Sequence, residues 1–466
     1  MAKAKAMTLF EKVICSHSRK KRVESGEAVA VRADRVICYD TFLAALTDAF
    51  PQKHQPPADD PDRIVVCCDQ FSAAARGTEQ LIRRLRELAG IWRLKHFYDL
   101  GRGGIPAVIV PDAGLVRPGD LAAGPDGQIL TLGAMGLVSL QLETSALIEL
   151  ISTGWTEINV PPTLRIVLQG ELQRWVGGSD LAFHLRSKIP RETMKGCVLE
   201  LVGEVVAGLN LHDRFALVAG LDRLDVHAVV VEPDEKTRVF CRARCATKFP
   251  LLHSDKEASF LDVIEIDCRR IEPQVWIEEP EEQAEKEPEE ELREKPEDST
   301  LRGRSLNLNL ARRRLVQQVV VGGCSHGRVE DIRALAHFLR DYMIHPDVRL
   351  TLIPGSQQIL LHAMEEGLIQ IIIRAGGHIG IPSCRYDHDT RVAAMNNGEM
   401  CLATSLIPVI DEIRSDTPTE RKGEADNGTI TFCNPSIAAV AAIMGELHTP
   451  LDLARNVRRM ATGTNW

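Results

Sequence analysis

Val319-Val320-Val321-Gly322-Gly323-Cys324-Ser325-His326-Gly327-Arg328 sets a β-branched apolar run against a cysteine bracketed by glycines. Apolar residues then recur at Val329, Ile332, Leu335 or Ala336, and Leu339. The first pattern predicts a buried strand and the second an amphipathic helix over Val329–Leu339. Cys324 thus falls on a strand-to-helix turn. A thiol there is expected to face the positive end of the helix, which favours the thiolate, the form that holds iron or zinc or attacks carbon. A second conspicuous thiol, Cys384 in Gly380-Ile381-Pro382-Ser383-Cys384, follows sixty residues later.

The same alternation continues outward from this stretch. Leu315–Val321 and Val348–Ile353 read as strands, and Ser356–Glu366 as a helix with Ser356 as its N-cap and Gly367 as its stop, ahead of the run Leu368–Ile373. Upstream, Arg63–Cys67 and Ala107–Val110 read as short strands and Gln80–Ala89 as a helix. Such alternation predicts an α/β fold with mostly parallel sheets, in which ligands gather at the carboxyl ends of the strands.

A chain of 466 residues with 44% apolar content is long enough for about three domains. The expected borders are two α/β domains over 1–160 and 161–275, an acidic then basic linker or insertion over 276–312, and a third α/β domain over 313–466. Residues 278–298 hold twelve acidic side chains against Lys286, Arg293 and Lys295, which accounts for the whole net charge of −9. That stretch has too few apolar residues to order itself, and is expected to be a solvated linker, with docking of a basic partner as the sharper alternative. The remaining sequence is charge-balanced, which argues against a nucleic-acid surface.

Met1 to Lys12 carries no continuous apolar leader, and no later stretch approaches the roughly 18 uncharged apolar residues of a membrane span. A cytoplasmic location without membrane association is expected. The twelve cysteines, scattered through α/β patterns and including adjacent Cys67 and Cys68, read as reduced thiols.

Several ordered blocks carry a family resemblance over nearly the whole chain. They are Phe97 through Ile105 (Phe-Tyr-Asp-Leu-Gly-Arg-Gly-Gly-Ile), Gly114 through Asp120 leading to Leu132 through Gly136, Glu232 through Thr237, Ile264 through Asp267 with Glu272 through Val275, Pro354 through Gln358, and Asn434 through Ala439. Together they resemble the large subunit of 3-isopropylmalate dehydratase and homoaconitase, and so the aconitase superfamily. The resemblance implies a three-domain α/β/α large subunit lacking the swivel domain, which a separate small subunit supplies, and a small carboxylate ligand. It also implies a [4Fe-4S] cluster held by three cysteines, with acid and base residues moving water.

Carried over position by position, the implied site is altered. Cys324 matches the first cluster cysteine and Cys384 the second, but the third ligand position is Asp387. Histidines of the family are replaced by Gln70 (after Asp69), Ala107 and Gln128 (after Asp126), and further site positions by Ala219, Arg223 and Leu406 to Pro408. Glutamine hydrogen-bonds like histidine but passes no proton near neutral pH. Asp69 and Asp126 match catalytic positions and equally suit strand-end turns. Cys324, His326, Cys384 and Asp387, with His388 nearby, would suit an altered iron–sulfur cluster or a mononuclear iron or zinc, set against two small apolar thiols in a tightened site.

Lesser signals are Cys241 and Cys245, with three residues between them and read as ordinary cysteines in preference to a zinc pair. Gly101-Arg102-Gly103-Gly104 lacks the ending of a phosphate loop and reads as a turn, and Cys433 reads as a buried residue ahead of a helix opened by Pro435. Two function classes stay open: a pseudoenzyme or scaffold that has lost the standard hydro-lyase reaction, or an active hydro-lyase or isomerase on a small hydroxy-di- or tricarboxylate, using an altered metal site.

Overall fold

The amphipathic helix expected downstream of Cys324 forms over Val329–Leu339, with Ile332, Leu335, Ala336 and Leu339 buried. The computed structural model of the chain describes residues 6–40, 42, 60–69, 78–222, 224–245, 248–278, 303–311, 313–384, 398–405 and 429–455. It divides into two units. Unit 1 comprises Met1–Leu172, Glu192–Arg270 and Pro382–Arg385, and unit 2 comprises Gln173–Arg191, Ile271–Ile381 and Tyr386–Trp466. Neither follows contiguous borders, because Gln173–Arg191 groups with the later sheet and Pro382–Arg385 with the earlier ones.

Unit 1 holds two parallel sheets. The first has five strands in the order His96–Tyr98, Ile64–Cys67, Arg35–Tyr39, Leu121–Gly124 and Val138–Gln141. The second has four, in the order Ala228–Val231, Val198–Val202, Thr163–Gln169 and Asp262–Asp267. Strands buried on both faces read as continuous apolar runs, as in Ile64–Cys67 and Ala228–Val231, where every residue is buried. The helix Thr78–Ile91 covers the first sheet through Leu85 and Leu88, joined by Trp92. A 3₁₀ segment, Gly127–Met135, approaches the second sheet so closely that a Cβ on Gly133 would lie 1.7 Å from the carbonyl oxygen of Val229.

Unit 2 is built on a seven-stranded sheet in the order Gly303–Asn307, Gln274–Glu278, Thr429–Phe432, Met400–Ala403, Gln318–Gly322, Arg349–Ile353 and His378–Ile379. Gln274–Glu278 pairs antiparallel with both of its neighbours, and the remaining pairs are parallel. One face is packed by Phe183, Trp276, Val320, Ile353, Ala403 and Phe432.

Two sequence expectations are corrected here. Ala107–Val110 is not a strand but part of the helix Pro106–Asp112, started by Pro106 and buried from Pro106 through Pro111. A short apolar run buried on all sides has no periodicity that separates the two, and the proline favours a helix start. Within the expected linker, Gly303–Asn307 pairs with Gln274–Glu278 and Leu308–Ala311 forms a helical turn. Residues 279–302, which carry most of the acidic stretch, lie outside the described residues. Among the described residues, no helix is long and apolar enough to cross a membrane.

Candidate functional site

The carboxyl ends of three neighbouring strands of the five-stranded sheet converge on one cluster in unit 1. Tyr39 ends its strand, Cys67 ends the next and leads through Cys68 to Asp69, and Gly124 ends the third and leads to Asp126. Asp126 caps the 3₁₀ segment: its Oδ1 accepts from the backbone N–H of Gln128 at 2.9 Å and from the phenol of Tyr39 at 2.5 Å. Gln128 Nε2 in turn donates to Cys384 Sγ at 2.7 Å. The short segment carrying Cys384 is tied to Asp69, whose carbonyl accepts from Ser383 Oγ at 2.7 Å and from the Cys384 amide at 3.2 Å. Asp69, Asp126 and Cys384, three sequence candidates, are therefore brought together, with Asp69 and Cys384 each 2% exposed.

Tyr39 was not singled out by sequence. Its only signal is its place at the end of the apolar run Val36-Ile37-Cys38, where a strand-end hydroxyl meets the ligand side of the sheet. Burial, then the Asp126 carboxylate, pushes the Tyr39 phenol well above its usual range, so at neutral pH it stays a proton donor to Asp126. Burial, then Asp69, does the same to the Cys67 thiol, and burial with Asp40 to Cys68. The cluster is a chain of fixed donors and acceptors suited to gripping a polar ligand. Tyr39 and Gln128 do not exchange protons near pH 7.

Cys324 and His326 share a turn in unit 2 and are 5% and 6% exposed. The turn runs through left-handed conformations at Gly322, Gly323, Ser325 and Gly327. The strand before it ends at Gly322 because a Cβ there would lie 1.9 Å from the carbonyl oxygen of Ile353. The helix begins at Val329, and the Asp331 carboxylate, fully buried, accepts from the backbone N–H groups of Gly327 at 2.8 Å and Arg328 at 3.0 Å. The Asp331 carboxylate thus shares this helix start with the turn that carries Cys324.

Asp387, His388, Gln70 and Arg223 lie outside the described residues. Ala107 is buried within its helix, leaving no imidazole there, and Ala219 ends the helix Leu211–Ala219. Among the described residues, no group of three or more His, Cys, Asp or Glu side chains is placed to hold a metal ion. The donor set inferred from the sequence, two thiols and the Asp387 carboxylate, is one thiolate short of a three-cysteine cluster, and one of its thiols is engaged by an amide.

Cys241 is buried in the helix Glu235–Arg242 with its thiol pushed up to about 12, mainly by burial, and Cys245 donates to the Gly114 carbonyl at 3.3 Å. Gly101 and Arg102 form a turn, with the Arg102 amide donating to Asp99 O at 2.9 Å. Cys433 is fully buried ahead of the helix Pro435–Met444, which Asn434 caps.

A family profile described as aconitase family (aconitate hydratase) matches residues 11–405. The 3-isopropylmalate dehydratase large subunit of Moorella thermoacetica is 30% identical over 96% of this chain and 100% of its own length. The protein of the same description from Thermodesulfovibrio yellowstonii is 28% identical over 96% of this chain and 99% of its own. Among solved structures, the holo form of aconitase X from Thermococcus kodakaraensis aligns with 81% of this chain and 83% of its own, at 12% identity and a TM-score of 0.45.

Proposed function

Because the chain belongs to the aconitase family, whose members typically hold a [4Fe-4S] cluster, we propose that it is a divergent large subunit that has lost the standard hydro-lyase reaction. It acts instead as a binding subunit for a small carboxylate, alone or with a separate swivel-domain subunit. The observation that carries this reading is the Gln128 amide bonded to the Cys384 thiol at 2.7 Å. Gln128 stands at a position where the family resemblance implies a proton-carrying imidazole, and its amide has no proton to exchange in the neutral range. Ala107, buried in its helix, adds a second missing imidazole. Each general acid or base removed costs typically about 10²–10⁴-fold, so simultaneous losses leave little of the ordinary rate.

Three features support retained binding. Asp126 is held by two donors, the Tyr39 phenol remains protonated, and the Cys384 segment is latched to Asp69. Metal analysis of protein purified without oxygen tests the reading. Iron and zinc each below about a tenth of an equivalent are expected, since structural metal sites bind with folding-scale free energies and survive purification. Stoichiometric iron or zinc that disappears in Cys324→Ala or Cys384→Ala would overturn it in favour of an altered metal site that includes Asp387 and His326.

A further inference from the structure

At the opposite, amino-terminal end of the same five-stranded sheet, unit 1 contains a charged cavity of about 380 Å³. Strand-start residues line it: Asp34 and Arg35 before and at the start of Arg35–Tyr39, Asp60 and Arg63 before Ile64–Cys67, and Arg117 and Asp120 before Leu121–Gly124. Arg244 closes it from beyond the helix Glu235–Arg242.

The carboxylates of this cavity already have partners. Asp34 Oδ2 lies 2.6 Å from His17 Nε2 and accepts from the Leu121 amide at 2.9 Å. Asp120 accepts from the Arg117 amide and Nε, each at 3.1 Å. Asp60 Oδ1 accepts from the Asp62 amide at 3.0 Å, and its Oδ2 lies 3.6 Å from Arg63 Nε. The cations are in surplus. Arg35 donates to the carbonyls of Leu115, Asp34 and Asp62 at 2.9, 3.3 and 3.1 Å, and among the described residues it forms no ion pair. Arg244 lies over the Phe240 ring at 3.8 Å, donates to the Phe240 carbonyl at 3.2 Å, and reaches Asp112 only at 4.0 Å.

A guanidinium offers five donors, and backbone carbonyls fix its orientation without cancelling its charge. Arg35, at a strand start and with no carboxylate partner among the described residues, and Arg244, with its 4.0 Å contact to Asp112, thus bring positive charge to a cavity of small-ligand size. We propose that this cavity binds a small oxyanion, phosphate or carboxylate, as a ligand separate from any at Tyr39 and Asp126. This assignment is independent of whether the chain retains catalysis.

Calorimetric titration of the full chain with inorganic phosphate and, separately, with citrate tests it. At least one anion should bind with a stoichiometry of one, and whichever binds identifies the oxyanion chemistry accepted. Arg244→Glu should weaken that binding by about tenfold or more, as loss and reversal of a charge-assisted contact implies. Arg244→Gln, which keeps the stacked side chain without the charge, provides a milder variant should Arg244→Glu fail to fold, and should show a loss of several-fold. The proposal is overturned if neither anion binds the unaltered chain at millimolar concentration, or if the folded Arg244 variants bind as the unaltered chain does.

Discussion

Tyr39 and Asp120 sit at opposite ends of one parallel sheet, and burial acts on both in measurable ways. The Tyr39 phenol donates to Asp126 from a fully buried position, so Tyr39→Phe removes a charge-assisted hydrogen bond while leaving the Gln128 amide on the same carboxylate. A loss of about 1.5–3 kcal/mol in urea unfolding is predicted. Asp120 has its carboxyl raised from 3.8 to about 6, first by burial and then by the nearby Asp34 carboxylate, with Arg117 opposing. Between those values the folded chain keeps a proton that the unfolded chain releases. This residue therefore makes folding less favourable as pH rises from about 4 to about 6, by up to roughly 3 kcal/mol, and the penalty persists above. Asp120→Asn should flatten that part of the stability–pH curve, with the largest gain near neutrality. Melts over pH 4–8 would show an unchanged slope if the account is wrong.

At the scale of elements, glycine substitutions separate a required turn from a permissive helix. Gly322→Ala meets both a φ of +97° and the Ile353 carbonyl, and is predicted to cost at least about 2–4 kcal/mol or to prevent folding. Gly90→Ala, near the end of the helix Thr78–Ile91 with nothing within 4 Å of the added methyl, should stabilise by about 0.5–1 kcal/mol. Denaturant midpoints of the two variants moving in the same direction would contradict this.

The contrast also marks what was legible in the sequence. The helix Val329–Leu339 was read to the residue, and Ser356 was read as a cap, because one-sided periodicity and an N-cap oxygen are local signals. Ala107–Val110 was misread because full burial erases periodicity. Gly303–Asn307 was missed because its pairing with Gln274–Glu278 is a long-range contact that composition does not encode.

On the scale of the whole molecule, the family framework was legible because its blocks lie in order along the chain, and curated relatives align over 96% of it. The candidate site was legible only in part. Asp69, Asp126 and Cys384 meet as a group, but Tyr39 was invisible without the sheet, and the buried carboxylate of Asp331 at the turn after Cys324 was not read from the sequence. The residues that replace the family's imidazoles and the amide bonded to the Cys384 thiol are the grounds for the proposal that this large-subunit fold has lost its standard reaction.

Anaerobic turnover is the direct test: the full chain, alone and with a swivel-domain subunit, assayed with isopropylmalate, homocitrate and citrate. No hydration or dehydration of any of the three above the uncatalysed background is predicted. Turnover that is present in the unaltered chain and abolished by Cys324→Ala would contradict it.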